Sequence, residues 1–413
     1  MTQENANTTR DSKNPIRMHG IIRHLCINLN DKDMKVLLVL LSSIIFLGCA
    51  TLGDSSSHVP VVYNDSDINF SNYFSDYRIV RFDSSIPDAY IRSMKRVLFL
   101  PERIVVFDEN DNKILLFDEE GRFLKSSKSI VGRAKGEYIS LSDVSLDIEN
   151  EQIYALCDRP NKIMVFDKDL KCLFEKELKV DPLEIAVDGS FLYCYCYNSQ
   201  NLSERTLIRF DKNKLDEEGS TLQSISSAIP GVGTFGCSLT LNRGVDFCIP
   251  FSNCISHIKN GIISDSRHLD FGDKWFSYEQ SENLQPRIFI EKNHDNIWCI
   301  KNICSSDSVT FFTTNRPNIF IYERNKNICN CYRRAHNDIL PFNSVFVTPV
   351  QGRDGYVSYM IPPSSILAVK KDKKVIFDMY RERFHSSLSD ELSHFIDEYG
   401  QEDNPWLILY KLK

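Results

Sequence analysis

The sequence predicts an all-β fold: a six-bladed β-propeller with a short C-terminal helix before the closing strand. Three observations predict it. A strand–turn–strand segment recurs at intervals near fifty residues, and each copy turns at an aspartate. The composition is that of a folded globular chain, 42% hydrophobic and 25% charged. Its 26 Phe and 17 Tyr suit pleated surfaces better than helices.

The fold does not begin at residue 1. Residues 1–33 are polar, lack apolar periodicity, and are read as an extension that is either disordered or precedes the true translation start. Residues 34–48 read as a lipoprotein signal, with Met34-Lys35 followed by an apolar run and a small residue before a break. The run from 36 to 49 is 14 residues, about 21 Å as helix against the roughly 30 Å of a bilayer core. A cleaved signal is therefore favoured over a spanning anchor. Phe46-Leu47-Gly48-Cys49 resembles the bacterial lipobox, with Phe46 where Leu is usual, which makes Cys49 the expected lipidation site and membrane anchor. A plain signal peptide cut elsewhere is the alternative. The signal is complete from Met34, which is favoured over Met1 as the start. Residues 49–67 are expected to be a lipidated tether, rich in small polar residues. No acidic cluster directly follows Cys49, which favours the periplasmic side of the outer membrane over the cell surface.

Residues 68–413 are expected to form the single propeller. Asn112-Lys113-Ile114-Leu115-Leu116-Phe117-Asp118 recurs as Asn161-Lys162-Ile163-Met164-Val165-Phe166-Asp167, and again in Leu207-Ile208-Arg209-Phe210-Asp211. Each copy is a β-rich run followed by a polar turn whose aspartate can bond its own backbone. A further strand precedes each copy: Arg103-Ile104-Val105-Val106-Phe107, Gln152-Ile153-Tyr154-Ala155-Leu156 and Phe191-Leu192-Tyr193-Cys194-Tyr195. Weaker runs stand upstream again, at Val144-Ser145-Leu146 and Leu183-Glu184-Ile185. Three to four short strands per repeat of about 40–50 residues is propeller arithmetic. Later blades are assigned to Val245-Asp246-Phe247 and 255–263; to 297–300, 309–312 and 319–325; and to 356–360 with 406–410. The helix is expected at 387–399, where Leu388, Leu392, Phe395, Ile396 and Tyr399 make one stripe and Gly400 can end it. The last strand is expected to pair with one near 77–82, because an open sheet edge invites aggregation.

Gly132-Arg133-Ala134-Lys135-Gly136-Glu137-Tyr138 resembles the Gly-x-Gly-Pro-Gly-Glu-Tyr inter-blade loop of the six-bladed β-propeller lipoproteins related to NHL repeats, found in Gram-negative anaerobes. Ala134 and Lys135 stand where that loop has Gly-Pro. Residues 249–251, 269–272, Asn337-Asp338-Ile339 and 402–408 share the resemblance, which runs from about residue 68 to the end. It implies fold and address, while the activity of the family is mostly undefined.

The net charge of −7 disfavours nucleic acid. Of 13 cysteines, Cys26 precedes the signal and Cys49 is the lipidation candidate, leaving an odd number. Cys194-x-Cys196 and Cys329-x-Cys331 each place two thiols on one strand face. Buried thiols are favoured over disulfides or a four-thiolate zinc site, so no metal is expected. Nine scattered histidines give no zincin spacing, and neither Gly-x-Ser-x-Gly nor a phosphate-binding loop occurs. The glycines from Gly231 to Gly236 precede strands rather than a helix, unlike a dinucleotide site. No cofactor and no catalytic residue is assigned.

Arg133, Lys135, Glu137 and Tyr138 are the candidate binding loop, an Arg/Lys pair beside a tyrosine suited to an anionic or sugar ligand. The competing reading is that Glu137 and Tyr138 lock the loop to the next blade. The function expected is a monomeric, membrane-anchored module binding a glycan, a peptide or a protein partner. The alternative is a carbohydrate-active lyase or hydrolase with carboxylates at the propeller channel.

Overall fold

The computed structural model describes residues 56–197, 203–215, 217–226, 228–232, 237–342, 346–351, 355–384 and 388–413. The signal at 34–48, Cys49 and Cys26 lie outside the described residues, as does most of the glycine-rich loop ending at Gly236. The described chain is mostly β.

The chain opens with β1 (Ser56–Asn64), β2 (Ile68–Asn69), the helical turn α1 (Phe70–Tyr73) and β3 (Phe74–Arg81). A succession of four-stranded antiparallel meanders follows. The first is β4 (Arg96–Leu100), β5 (Arg103–Asp108), β6 (Lys113–Phe117) and β7 (Phe123–Ser126). The second is β8 (Ser140–Asp147), β9 (Gln152–Arg159), β10 (Asn161–Asp167) and β11 (Cys172–Glu177). The third is β12 (Pro182–Asp188), β13 (Phe191–Tyr197), β14 (Arg205–Asp211) and β15 (Ser220–Ile225). The fourth is β16 (Leu239–Leu241), β17 (Val245–Phe247), β18 (Cys254–Lys259) and β19 (Ile262–Asp270). After the short helices α2 (Tyr278–Ser281) and α3 (Pro286–Lys292) comes the fifth: β20 (Ile300–Ser305), β21 (Val309–Thr314), β22 (Ile319–Glu323) and β23 (Ile328–Tyr332). Beyond β24 (Ala335–His336), which pairs with β2, the chain forms β25 (Phe346–Gln351) and β26 (Tyr356–Ile361). Helices α4 (Pro363–Lys371), α5 (Lys373–Phe384) and α6 (Asp390–Glu398) then precede β27 (Trp406–Leu412).

The last meander is completed by the start of the chain. β27 pairs antiparallel with β3, from Trp406 opposite Arg81 to Leu412 opposite Phe74, so the strand expected to close the fold does pair with the segment expected.

Alternation explains the packing. In β4, β5 and β6, Leu98, Leu100, Val105, Phe107, Ile114 and Leu116 pack with Tyr138, Ile153 and Phe166 of the second meander's side. Their neighbours Val97, Phe99, Ile104, Val106, Leu115 and Phe117 pack with Val80, Leu407 and Leu409 on the other. A strand buried on both faces reads as an unbroken apolar run, and successive side chains serve opposite interfaces. The outer strand β11 has no buried residue, as its Glu-Lys-Glu end suggests. The aspartate turns form as expected. Asp118 accepts from the backbone N–H of Glu120 (3.0 Å) and Arg122 (2.9 Å), and Asp167 from Asp169 (3.0 Å) and Lys171 (2.9 Å).

Three expectations are corrected. Residues 49–67 are not a tether throughout, because β1 is a parallel strand bridging two meanders. Ser56–Pro60 pair with 266–270 of β19 and Val61–Asn64 with 329–332 of β23, fusing the two into one nine-stranded sheet. The single helix expected at 387–399 is the last of three. Ser389 caps α6 by accepting from the Leu392 N–H (3.1 Å), and Leu392 and Ile396 are buried as the stripe predicts. Helix α5 was not expected; it packs through the buried Tyr380 and the half-buried Ile376 and Phe377, while the adjacent Val375 is 71% exposed. The strand expected at 297–300 starts only at Ile300, since Ile297 is drawn into a bridge with Trp275.

The first strands of the meanders meet at a buried ion network. Arg96 of β4 donates through Nε and Nη2 to both carboxylate oxygens of Asp143 in β8, each at 2.8 Å. Nη2 also reaches Glu184 of β12 (3.1 Å), and Nη1 the Leu239 carbonyl of β16 (2.8 Å). The carboxylates are tied back to the backbone: Asp143 accepts from the Ile185 N–H (2.9 Å), and Glu184 from those of Ser238 (2.8 Å) and Leu239 (3.1 Å). Burial and the nearby Asp143 push the Glu184 carboxyl up, while Arg96 opposes them. Arg96 remains cationic, because the two carboxylates outweigh the cost of its burial.

Replacing Arg96 with Leu strands two buried carboxylates. The unfolding free energy from urea titration should fall by about 3–5 kcal/mol. A loss below about 1 kcal/mol would mean that these strands do not depend on the cation.

Candidate functional site

The loop singled out by sequence is held shut by its own residues. The Gly132 N–H donates to the Tyr138 carbonyl (2.9 Å) and the Tyr138 N–H to that of Ile130 (3.2 Å). Glu137 turns back to accept from the Ala134 N–H (2.8 Å), and a Cβ at Gly132 would sit 2.0 Å from its carboxylate. Tyr138 is fully buried. Its hydroxyl lies 2.6 Å from Ser127 Oγ and donates to the Asn112 carbonyl (3.2 Å), and burial pushes its pKa up to about 12. Tyr138 therefore presents no face to a ligand, and Glu137 is half-buried. Arg133 and Lys135 are exposed, beside a shallow cleft of about 480 Å³ shared with Lys162, Glu175 and Glu177. Lys162 ties the region together by donating to Glu175 and the Glu137 carbonyl, each at 2.7 Å. Cations and carboxylates balance in this cleft, and two of the four candidates brace the loop.

A second cleft, of about 450 Å³, opens where the turns between the first two strands of neighbouring meanders come together. The β16–β17 turn supplies Asn242 and Arg243, and the β20–β21 turn Ser306, Asp307 and Ser308. Lys259 comes from the end of β18, Arg324 from the turn after β22, and Lys411 and Lys413 from the end of the described chain. Gly244 makes the close approach possible: its φ is +137°, and a Cβ there would lie 2.4 Å from the Ile258 carbonyl.

Beneath this cleft Asp246 is buried and saturated with donors. His257 Nδ1 lies 2.7 Å from Oδ1, while Asn242 Nδ2 (2.9 Å) and Ser305 Oγ (3.0 Å) donate to Oδ2. The order is Ser–Asp–His, with the carboxylate in the middle. A hydrolytic triad needs the imidazole between serine and carboxylate, so this trio does not activate Ser305 as a nucleophile. It fixes the cleft floor and orients His257.

Next to it lies an acidic recess of about 280 Å³ lined by Asp147, Glu149 and Asp188, sharing Asn242 and Arg243 with the cationic cleft. Lys212 neutralises Asp147 at 2.5 Å. Burial, and then the charge of Glu149, raises the Asp188 carboxyl. The carboxylates that converge at the first strands, Asp143 and Glu184, are closed off by Arg96.

The two Cys-x-Cys pairs are not brought together. Cys194 and Cys196 pack with Ile185 and Leu192, whereas Cys329 and Cys331 pack with Val59 and Phe320. Eleven cysteines from Cys157 to Cys331 carry no disulfide among the described residues, and all but Cys172 are buried. Burial pushes the Cys157, Cys196, Cys237 and Cys299 thiols up to about 12, which makes them poor nucleophiles and poor metal ligands. Among the described residues no group of three or more His, Cys, Asp or Glu is placed to hold a metal ion.

Sequence reading missed the cationic cleft. Arg243, Lys259, Arg324 and Lys411 are scattered over 169 positions, and none sits in a motif. The one local signal is Asn242-Arg243-Gly244, which marks a tight turn without saying what it faces.

These features define a class: a β-protein of antiparallel meanders whose recesses open at strand ends. The chain belongs to a family described only as a domain of unknown function, DUF4934, which it matches over residues 56–411. That match includes β1. No curated protein matches. A crystal structure of a Bacteroides fragilis NCTC 9343 protein designated exported is similar in fold, with a TM-score of 0.65 at 14% identity. It covers 86% of this chain and 100% of that one. BamB from Moraxella catarrhalis (TM-score 0.34, 10% identity, 62% of this chain and 66% of that one) and a nidogen/laminin complex (0.36, 13%, 57% and 78%) are more distant.

The Asp246 network predicts a pH dependence. Burial alone would raise this carboxyl, but donors from His257, Asn242 and Ser305 hold it below its ordinary value. Such a group adds stability above its unfolded pKa, near 3.9, and that stability is lost as pH falls through the lower folded value. Asp246→Asn should therefore be less stable than the parent at neutral pH, and urea titrations should show the gap closing below about pH 4. A gap constant across pH would contradict this account.

Proposed function

We propose that this protein is an exported, membrane-anchored six-bladed β-propeller that acts as a ligand-binding module. The blades are the five complete meanders and a sixth made of β25, β26, β27 and β3, in which chain start and chain end pair. The lipobox-like Phe46-Leu47-Gly48-Cys49 supports export and lipidation of Cys49, with the body facing the periplasm from the outer membrane. The observation that carries the binding reading is the cleft of about 450 Å³ between turns of adjacent blades. Its volume is that of a small-ligand site, and its polar groups come from turns held on a rigid sheet scaffold. Residues 133 and 135 offer a lesser contact surface on another loop, with Glu137 and Tyr138 as its braces.

The second reading, a carbohydrate-active lyase or hydrolase, draws on the acidic recess, where Asp188 is raised by burial and by Glu149. Its carboxylates come from two neighbouring meanders.

Expressed from Met34 in a Gram-negative host, the protein should partition into detergent and carry an acylated N-terminal cysteine by mass spectrometry. Cys49→Ala should abolish both. Unchanged partitioning of Cys49→Ala would remove the anchor from this account.

A soluble form starting at Ala50, which retains β1, should bind members of a glycan and peptide array without turning them over. Silence on both arrays would sink the binding module, and turnover of a glycan would replace it with the enzyme.

A further inference from the structure

The described residues include six histidines, and four of them face a carboxylate. His257 stands beside Asp246 (2.7 Å), His294 beside Asp295 (2.9 Å), His336 beside Asp67 (2.9 Å) and His394 beside Glu398 (3.1 Å). His58 and His268 face each other instead. They are register partners in the parallel pairing of β1 with β19, which puts both side chains on one face of the sheet. Their rings stack with centroids 5.6 Å apart and planes inclined by 29°. Among the described residues no hydrogen bond or ion pair engages either ring.

Alternation fixes where the pair points. Val59 and Leu269, the next residues of the two strands, are buried in a core with Phe312 and Phe320. His58 and His268 therefore project from the opposite face, His58 exposed and His268 half-buried. Arg267 lies on the other face of β19, where it pairs with Asp265. Asp270, two residues beyond His268 on the same face, is exposed and adds a negative charge near the rings. Cys254 of β18 is registered opposite His268, but its thiol is buried and lies 3.7 Å from Ser256 Oγ. The two imidazoles are the donors that this row offers to solvent.

Imidazole is a preferred ligand of zinc, and two of them on neighbouring strands can share one ion. With Zn–N bonds of about 2.1 Å and a tetrahedral angle, two chelating rings have centroids about 5 Å apart. The observed 5.6 Å is reached from that spacing by a small side-chain rotation.

We propose that His58 and His268 form a surface zinc site that bridges β1 to β19. The ion takes one nitrogen from each ring and completes its shell with water. Two protein ligands are fewer than the three or four of catalytic and structural zinc sites, so the ion exchanges with solvent. Its effect is to cross-link β1, the strand that follows the expected anchor, to the fourth meander. This inference goes beyond the ligand-binding reading and does not rest on the cleft.

The test uses the chain expressed from Met34, purified without a histidine tag and studied in detergent after removal of metal by a chelator. Zinc chloride is titrated in by calorimetry at neutral pH, and one ion per chain should bind. His58→Ala and His268→Ala should each weaken that binding about tenfold or more. His294→Ala, at another exposed histidine, and Cys254→Ser should leave it unchanged. Amide hydrogen exchange followed by mass spectrometry reads the bridge itself: zinc should slow exchange in the peptide spanning residues 57–60 of the parent and not of His58→Ala. Because His58 is exposed, its variant keeps the test decisive even if His268→Ala loosens the fold.

Absence of zinc binding would overturn the proposal, as would binding that His58→Ala leaves intact. Loss of binding in only one of the two histidine variants would place the ion on a single imidazole and remove the bridge. Loss in Cys254→Ser would make the site a thiolate one, and unaltered exchange of β1 with zinc bound would show that the ion fastens nothing.

Discussion

One buried cation, Arg96, organises the interior. It is fully enclosed, grips Asp143 with two parallel hydrogen bonds, and contacts Glu184 and the Leu239 carbonyl from the same guanidinium. Those partners belong to the first strands of successive meanders, so a single side chain sets the spacing of four sheets. A buried guanidinium demands geometry, because each unmet N–H and each unpaired carboxylate carries a desolvation cost. The carboxylates answer in turn to backbone N–H groups of Ile185, Ser238 and Leu239, which locks the meanders in register with one another.

Around that centre the sheets are layered by simple alternation. Phe107 serves the interface with the second meander and Val106 the interface with the meander holding β27. The same strand therefore contributes to two cores, which is why its sequence is unbroken by polar residues. Where that demand ends, as in β11, the strand becomes polar. β3 and β27 complete the last meander, and β1 shields two outer edges at once by pairing with both β19 and β23.

The clefts follow from the same scaffold. Turns between first and second strands are pinned at their bases by the packed inner strands, so the side chains they carry converge. Asp246 shows the consequence at the cleft floor: a buried carboxylate in β17 collects donors from its own turn, from β18 and from β20 of the next meander. The loop at residues 132–138 shows the opposite use of polar residues. Tyr138 and Glu137 satisfy groups within the protein, while Arg133 and Lys135 are exposed to solvent.

Local order was legible in the residues. The aspartate turns, the strands at 103–117 and 152–167, the closing strand and the stripe of the last helix all depend on neighbours within a few positions, or on an apolar pattern each strand carries by itself. Helix α5 escaped because it fully buries only Tyr380, with Ile376 and Phe377 half-buried against the core, and β1 because a strand beginning in a run of serines and containing a proline looks like a tether. The distinction between a residue that faces a ligand and one that braces a loop was not legible, as Tyr138 demonstrates. Nor was the cationic cleft. Arg243 and Arg324 acquire their common surroundings only when separate meanders pack, and charge convergence over such separations is a property of tertiary structure rather than of spacing along the chain.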